Sequence, residues 1–135
     1  MKRFFSILVM SILVTGLLTA ATPVPETTFT LVQGLPETMN VGETYTVIVQ
    51  VDSDQEFLSA QALPSFQFPG KGVVAVQGGS RAGSGTSATL EITFKAKSAT
   101  ARMPDGVAPV YVVVGVRYGG GYTAVQEYLF NVAVP

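Results

Sequence analysis

Residues 88–97 read ATLEITFKAK, and this stretch decides the fold. Leu90, Ile92, Phe94 and Ala96 take every second position, with Thr89, Glu91, Thr93, Lys95 and Lys97 between them. A period of two is that of a strand with one face in a core and the other in water. The pattern recurs at 44–51, where Tyr45, Val47, Val49 and Val51 share one face and Thr44, Thr46, Ile48 and Gln50 the other. Residues 123–134 gather Tyr128, Phe130, Val132 and Val134 opposite Glu127, Asn131 and Ala133. Residues 110–118, VYVVVGVRY, are apolar on both faces over most of their length, which reads as a central strand.

Weaker strands fill the rest. Phe29 and Leu31 alternate with Thr28 and Thr30. Residues 57–63 and 73–77 read as two further strands, with 65–67 a short extension of the first. Turn chemistry separates them at 34–36 (Gly-Leu-Pro), 52–54 (Asp-Ser-Asp), 69–72 (Pro-Gly-Lys-Gly), 104–106 (Pro-Asp-Gly) and 119–121 (Gly-Gly-Gly). Nothing reads as a convincing helix. The expected domain is therefore all-β, a two-sheet antiparallel β-sandwich of about seven strands. Periodicity does not fix closure, so a barrel stays open as the alternative.

Residues 35–47, LPETMNVGETYTV, resemble the segment joining the first two strands of prokaryotic immunoglobulin-like domains. There a Val-Gly-Glu turn leads into an alternating strand; here Gly42 supplies the turn and Tyr45 opens the strand on its inward face. The resemblance implies an immunoglobulin-like sandwich serving as an adhesive, scaffolding or accessory module, and no particular chemistry. The chain departs from antibody-type domains in having no Cys and no Trp.

The N-terminus is patterned differently. Lys2 and Arg3 precede an apolar run over 4–18, and Thr19, Ala20 and Ala21 supply small residues at a cleavage site. That is a secretory signal, expected as a helix over 1–21 with residues 22–135 as the exported domain. An uncleaved anchor is the alternative, although 18 residues from Phe4 to Ala21 fall short of the roughly 20 that a span requires. After cleavage no membrane span is expected. The expected location is secreted, periplasmic or cell-surface.

Composition narrows the function. Of 135 residues 47% are hydrophobic and 13% charged, with 8 Lys+Arg against 9 Asp+Glu and no His or Cys. Without Cys there is no disulfide framework, thiolate metal site or cysteine nucleophile. Without His the Ser-His-acid triad cannot be built. The scattered basic residues lack the clustering of a nucleic-acid footprint. The expectation is a non-enzymatic protein with no cofactor.

Four features merit testing as sites. Asp52, Asp54 and Glu56 alternate just past a strand, where a loop would turn their oxygens toward Ca²⁺, although the glycine and distal glutamate of a calcium loop are missing. The Gly/Ser-rich segment 78–87 is expected to be a flexible connection, with Arg81 as its contact residue. Arg117, Tyr118 and Tyr122 flank the triple glycine, expected as a hairpin tip whose tyrosines either form a contact platform or close the core as a cross-strand pair. Phe66 and Phe68 share one face before Pro69, as core plugs or as a partner ridge.

The leading expectation is an exported binding or accessory module of the cell envelope, acting through contacts with another envelope or secreted protein or with itself. One alternative is a structural subunit of a surface layer or fibre, pairing through the edge strands at Thr27–Gln33 or at 128–134. A second is a small carbohydrate- or calcium-binding module.

Overall fold

The stretch that reads most clearly as a strand becomes β6 (Gly85–Ala96) in a computed structural model that describes residues 23–64 and 73–135. The expected signal helix over 1–21 and the Phe66/Phe68 pair lie outside the described residues. The other strands are β1 (Thr27–Gln33), β2 (Thr44–Phe57), β3 (Ser59–Pro64), β4 (Val74–Gly79), β5 (Arg81–Ala82), β7 (Ala108–Arg117) and β8 (Thr123–Val132). Among the described residues that makes eight strands against about seven expected. The only helical turns there are two three-residue 3₁₀ turns, Pro104–Gly106 and Gly119–Gly121.

The strands form two four-stranded sheets, β1-β2-β6-β4 and β5-β3-β7-β8, and every ladder is antiparallel. With the strands lettered in chain order, the first sheet runs A-B-E-D and the second C-F-G, the order of a constant-type immunoglobulin domain. β5 is an addition outside β3. Past β1 the chain crosses toward the second sheet, where Met39 N–H donates to Ala133 O at 2.9 Å and Ala133 N–H to Glu37 O at 2.8 Å. The sandwich stands and the barrel alternative falls, since the two sheets share no continuous ladder.

Facing residues fill the space between the sheets as the alternation dictates. Val47, Val49 and Val51 of β2 lie beside Ile92, Leu90 and Ala88 of β6. Opposite them stand Ala60 and Ala62 of β3, Val110 to Val116 at alternate positions of β7, and Val132 of β8. All but the half-buried Ala88 are at most 2% exposed. β7 is an interior strand, as its apolar run predicts.

Two corrections concern where strands end. Asp52-Ser53-Asp54 is no turn: β2 continues through it to Phe57, and only Leu58 separates β2 from β3. Leu58 N–H donates to Arg117 O at 2.7 Å, so one residue carries the chain from the first sheet into the second. Segment 78–87 is likewise mostly strand rather than a flexible connection. At Ser80 the chain again changes sheets: its N–H donates to Glu91 O of β6 at 2.8 Å, and its carbonyl accepts from Ala62 of β3 at 3.4 Å. The preceding glycine fits a close approach, because a Cβ on Gly79 would lie 3.2 Å from Ala62 O and press on the backbone of β3.

The turn before β2 behaves as its sequence suggests. Gly42 has φ +88°, a conformation that L side chains rarely adopt, and its N–H donates to Ala96 O at 2.8 Å.

Candidate functional site

The hairpin joining β7 to β8 carries three of the expected contact residues, and strand geometry separates them. Successive side chains point to opposite faces, so at the end of β7 Arg117 turns outward and Tyr118 inward. Tyr118 is 3% exposed. Its ring meets Phe57 edge-on with centroids 6.4 Å apart and Tyr122 at 5.7 Å. Its hydroxyl lies 2.5 Å from Thr27 Oγ1 and 2.7 Å from Ser53 Oγ. Tyr118 is thus a core residue that closes one end of the sandwich, and the platform of two exposed tyrosines is corrected to one. Tyr122 is 39% exposed and, with Glu56, Gln55 and residues 23–25, lines an open recess of about 460 Å³.

The three acidic residues project from one outward face of β2. Asp54 Oδ1 accepts from Glu26 N–H at 2.8 Å, and Asp52 Oδ1 accepts from the Ser87 hydroxyl at 3.1 Å. A strand holds alternate side chains in a row and cannot wrap them round an ion as a loop does. Among the described residues no group of three carboxylates is placed to hold a metal ion.

Arg117 finds its neighbour on the second sheet. On the outer face of β5-β3-β7-β8, Arg81 stands opposite Gln61 and Arg117 opposite Ser59, and Gln61 in turn faces Gly115. The two arginines flank a shallow depression of about 230 Å³ over Gly115, where a Cβ would meet nothing within 4 Å. Neither guanidinium has a hydrogen bond or ion pair among the described residues. Leu63, 41% exposed, lines the depression, and along β8 on the same face stand Val125 and Leu129, 59% and 51% exposed, with Glu127 between them.

The outer face of the other sheet is built from different material. Thr28, Thr30, Thr46, Gln50, Thr89 and Thr93 lie on it, and the last four are tied by side-chain hydrogen bonds. Thr89 donates to Gln50 Oε1 at 2.6 Å, Gln50 Nε2 to Ser87 Oγ at 2.8 Å, and the Thr46 and Thr93 hydroxyls lie 3.0 Å apart. One outer face is therefore largely polar and hydrogen-bonded, and the other sets exposed apolar side chains among Glu127 and two arginines without an internal partner.

Reading strand by strand joins neither Arg81 to Arg117 nor Leu63 to Val125 and Leu129. The available signal is that 110–118 is apolar on both faces. An antiparallel sheet ordinarily keeps one face polar toward solvent, so a two-sided apolar strand points to a covered or contacted outer face.

Two tyrosines have phenols held above their ordinary value of 10.0. Tyr45 donates to Glu43 Oε1 at 2.7 Å, and that hydrogen bond favours the protonated phenol. For Tyr128 the cause is burial.

No family model and no curated protein matches the chain. Among solved structures it is similar to murine CRIg, with 12% sequence identity over 82% of this chain and 98% of that chain and a TM-score of 0.37. No helix among the described residues is long and apolar enough to cross a membrane.

Proposed function

We propose that the chain is an exported, non-enzymatic binding or accessory module of the cell envelope whose contact surface is the outer face of the β5-β3-β7-β8 sheet. The observation that carries this reading is the contrast between the two outer faces. Leu63, Val125 and Leu129 stand exposed on one of them, and the other is a hydrogen-bonded polar lattice. Covering those three side chains is worth on the order of 1 kcal/mol each, since each is already partly buried. Arg81 and Arg117 add orientation: a planar guanidinium without an internal partner pairs bidentately with a carboxylate. The partner surface that fits is an apolar strip flanked by Asp or Glu.

Site-specific photo-crosslinking in the producing cell tests this. A crosslinking side chain at Val125 is expected to trap a discrete partner, and the same group at Thr89 on the opposite sheet is not. Arg81→Glu with Arg117→Glu is expected to abolish the Val125 product. Equal products from both positions, or none from either, would overturn the assignment.

A further inference from the structure

β1 is an edge strand: β2 pairs one side of it, and among the described residues nothing pairs the other. The backbone groups left facing out follow from the ladder. Asp54 N–H donates to Glu26 O at 3.2 Å, which makes 26 and 54 a hydrogen-bonded pair. Such pairs alternate along an antiparallel ladder, so Thr28 and Thr30 also turn their N–H and C=O groups toward β2. Thr27, Phe29 and Leu31 turn theirs away.

Free edges are ordinarily blunted by charge, proline or brevity. β1 reads TTFTLVQ, with no charge and no proline, and its irregularity falls late, between Leu31 and Gln33. The other three edges are guarded. β5 is two residues long, β4 is broken at mid-strand by a bulge between Val76 and Gly78, and β8 carries Glu127 at mid-strand while residues 37–39 hold Ala133.

The β1 sequence also complements itself. Laid antiparallel on an identical strand and centred on Thr30, it places Phe29 opposite Leu31 of the second copy, and Leu31 opposite its Phe29. All four are residues whose backbone groups face the gap, so both pairs can exchange two hydrogen bonds. Thr30 meets Thr30, Thr28 meets Val32, and no charges meet across the axis. In the single copy Leu31 is 40% and Val32 60% exposed, the side chains such pairing would cover.

We infer that β1 is a homodimerisation edge. Two copies pair β1 to β1 about a twofold axis at Thr30, fusing two four-stranded sheets into one of eight. The contact is isologous, so it closes as a dimer and does not propagate as a fibre. It uses an edge of the polar sheet and stands apart from the face assigned above to a partner.

The absence of Cys makes the test clean, since an introduced thiol is the only one in the molecule. The protein is expressed as the full 135-residue chain and purified as the cell processes it. Thr30→Cys is expected to give a reductant-sensitive dimer on mild oxidation, because a non-hydrogen-bonded antiparallel pair brings Cα atoms within disulfide reach. Thr28→Cys, whose counterpart is Val32, is expected to crosslink about tenfold less, its own copy lying outside that reach. Leu31→Lys is expected to shift the parent dimer to monomer in light scattering, with its circular dichroism spectrum unchanged. A parent that stays monomeric at the highest soluble concentration, or equal crosslinking at 28 and 30, overturns the proposal.

Discussion

The hydroxyl of Tyr118 lies 2.7 Å from Ser53 Oγ, joining the last turn of one sheet to the middle of the longest strand in the other. Thr27 Oγ1 of β1 shares the same hydroxyl at 2.5 Å. Two strands and the β7–β8 turn thus meet at one oxygen in a partly buried setting. Tyr118→Phe keeps the ring on Phe57 but removes one bond from each of two hydroxyls, Ser53 Oγ keeping its bond from Gln55 N–H, and is expected to cost about 1–2 kcal/mol. Ser53→Ala in addition should cost less than its effect alone, the deficit measuring the coupling by a double-mutant cycle in urea. Strict additivity would show that water replaces the bond at no cost.

Gly34 marks a different constraint. A Cβ there would sit 2.7 Å from Phe130 Cε1, closer than real contacts come. Phe130 stacks on Tyr128 with centroids 6.4 Å apart, so it cannot step aside without disturbing that pair. Gly34→Ala is expected to lose about 1–3 kcal/mol of stability. The smaller side chain of Phe130→Leu should suppress much of that loss in the double variant. Chemical denaturation of the four proteins decides it.

Thr100 is the one buried polar residue among those described, at 3% exposure. Its Oγ1 accepts from Val134 N–H at 2.9 Å and donates to Val134 O at 3.1 Å, and its own N–H donates to the same carbonyl at 2.9 Å. The side chain therefore completes a backbone pairing that strand β8 no longer provides. Thr100→Val keeps the shape and leaves the Val134 amide unsatisfied, an expected cost of about 1–3 kcal/mol. Thr100→Ser retains both bonds and should cost much less. Hydrogen exchange at the Val134 amide is expected to accelerate in the first variant only.

These contacts mark what the sequence carries openly and what it does not. Strands buried on one face announce themselves: Leu90, Ile92, Phe94 and Ala96 alternate and are all buried. β2 beyond Val51 was hidden because its inward positions turn polar at Ser53 and Gln55, and Asp-Ser-Asp is turn chemistry. What keeps that segment extended is pairing with Thr27 and Thr28 and the Tyr118 hydroxyl, both distant in sequence. The sheet crossing at Ser80 was hidden for a similar reason, since glycines that permit close approach look the same as glycines that permit flexibility. Arg81 and Arg117 are brought to one face only by the register of β5 on β3 and β3 on β7, which no local pattern encodes.

Two leucines, one in β6 between the sheets and one in β8 on the outer face of the second sheet, predict different outcomes for the same substitution. Leu90, 1% exposed between the sheets, is expected to cost about 2–5 kcal/mol as alanine, from lost burial plus the cavity left behind. Leu129, half exposed on the outer face, is expected to change stability by no more than about 0.5 kcal/mol as alanine. Thermal melts of both variants compare them directly. A large loss at Leu129 would mean that the apolar face serves folding and is not held for a partner.

Alkaline pH should weaken the fold, and Tyr128 gives the reason. Burial raises its phenol above the ordinary 10.0, so the folded chain holds that proton longer than the unfolded chain does. Below about pH 10 the phenol is neutral in both states and its contribution is fully present. As pH rises past that point the unfolded chain releases its proton first, and stability falls until the folded value is passed. Tyr45 shifts in the same direction through its bond to Glu43, but its phenol end is open to solvent and adds little. The midpoint of thermal unfolding is therefore expected to decline above about pH 10 in the parent, and less steeply in Tyr128→Phe. Absorbance titration of the five tyrosines should show one fewer late-ionising phenol in that variant. If Tyr128→Phe and the parent decline in parallel, the alkaline sensitivity resides elsewhere, and burial of the Tyr128 phenol contributes nothing measurable to it.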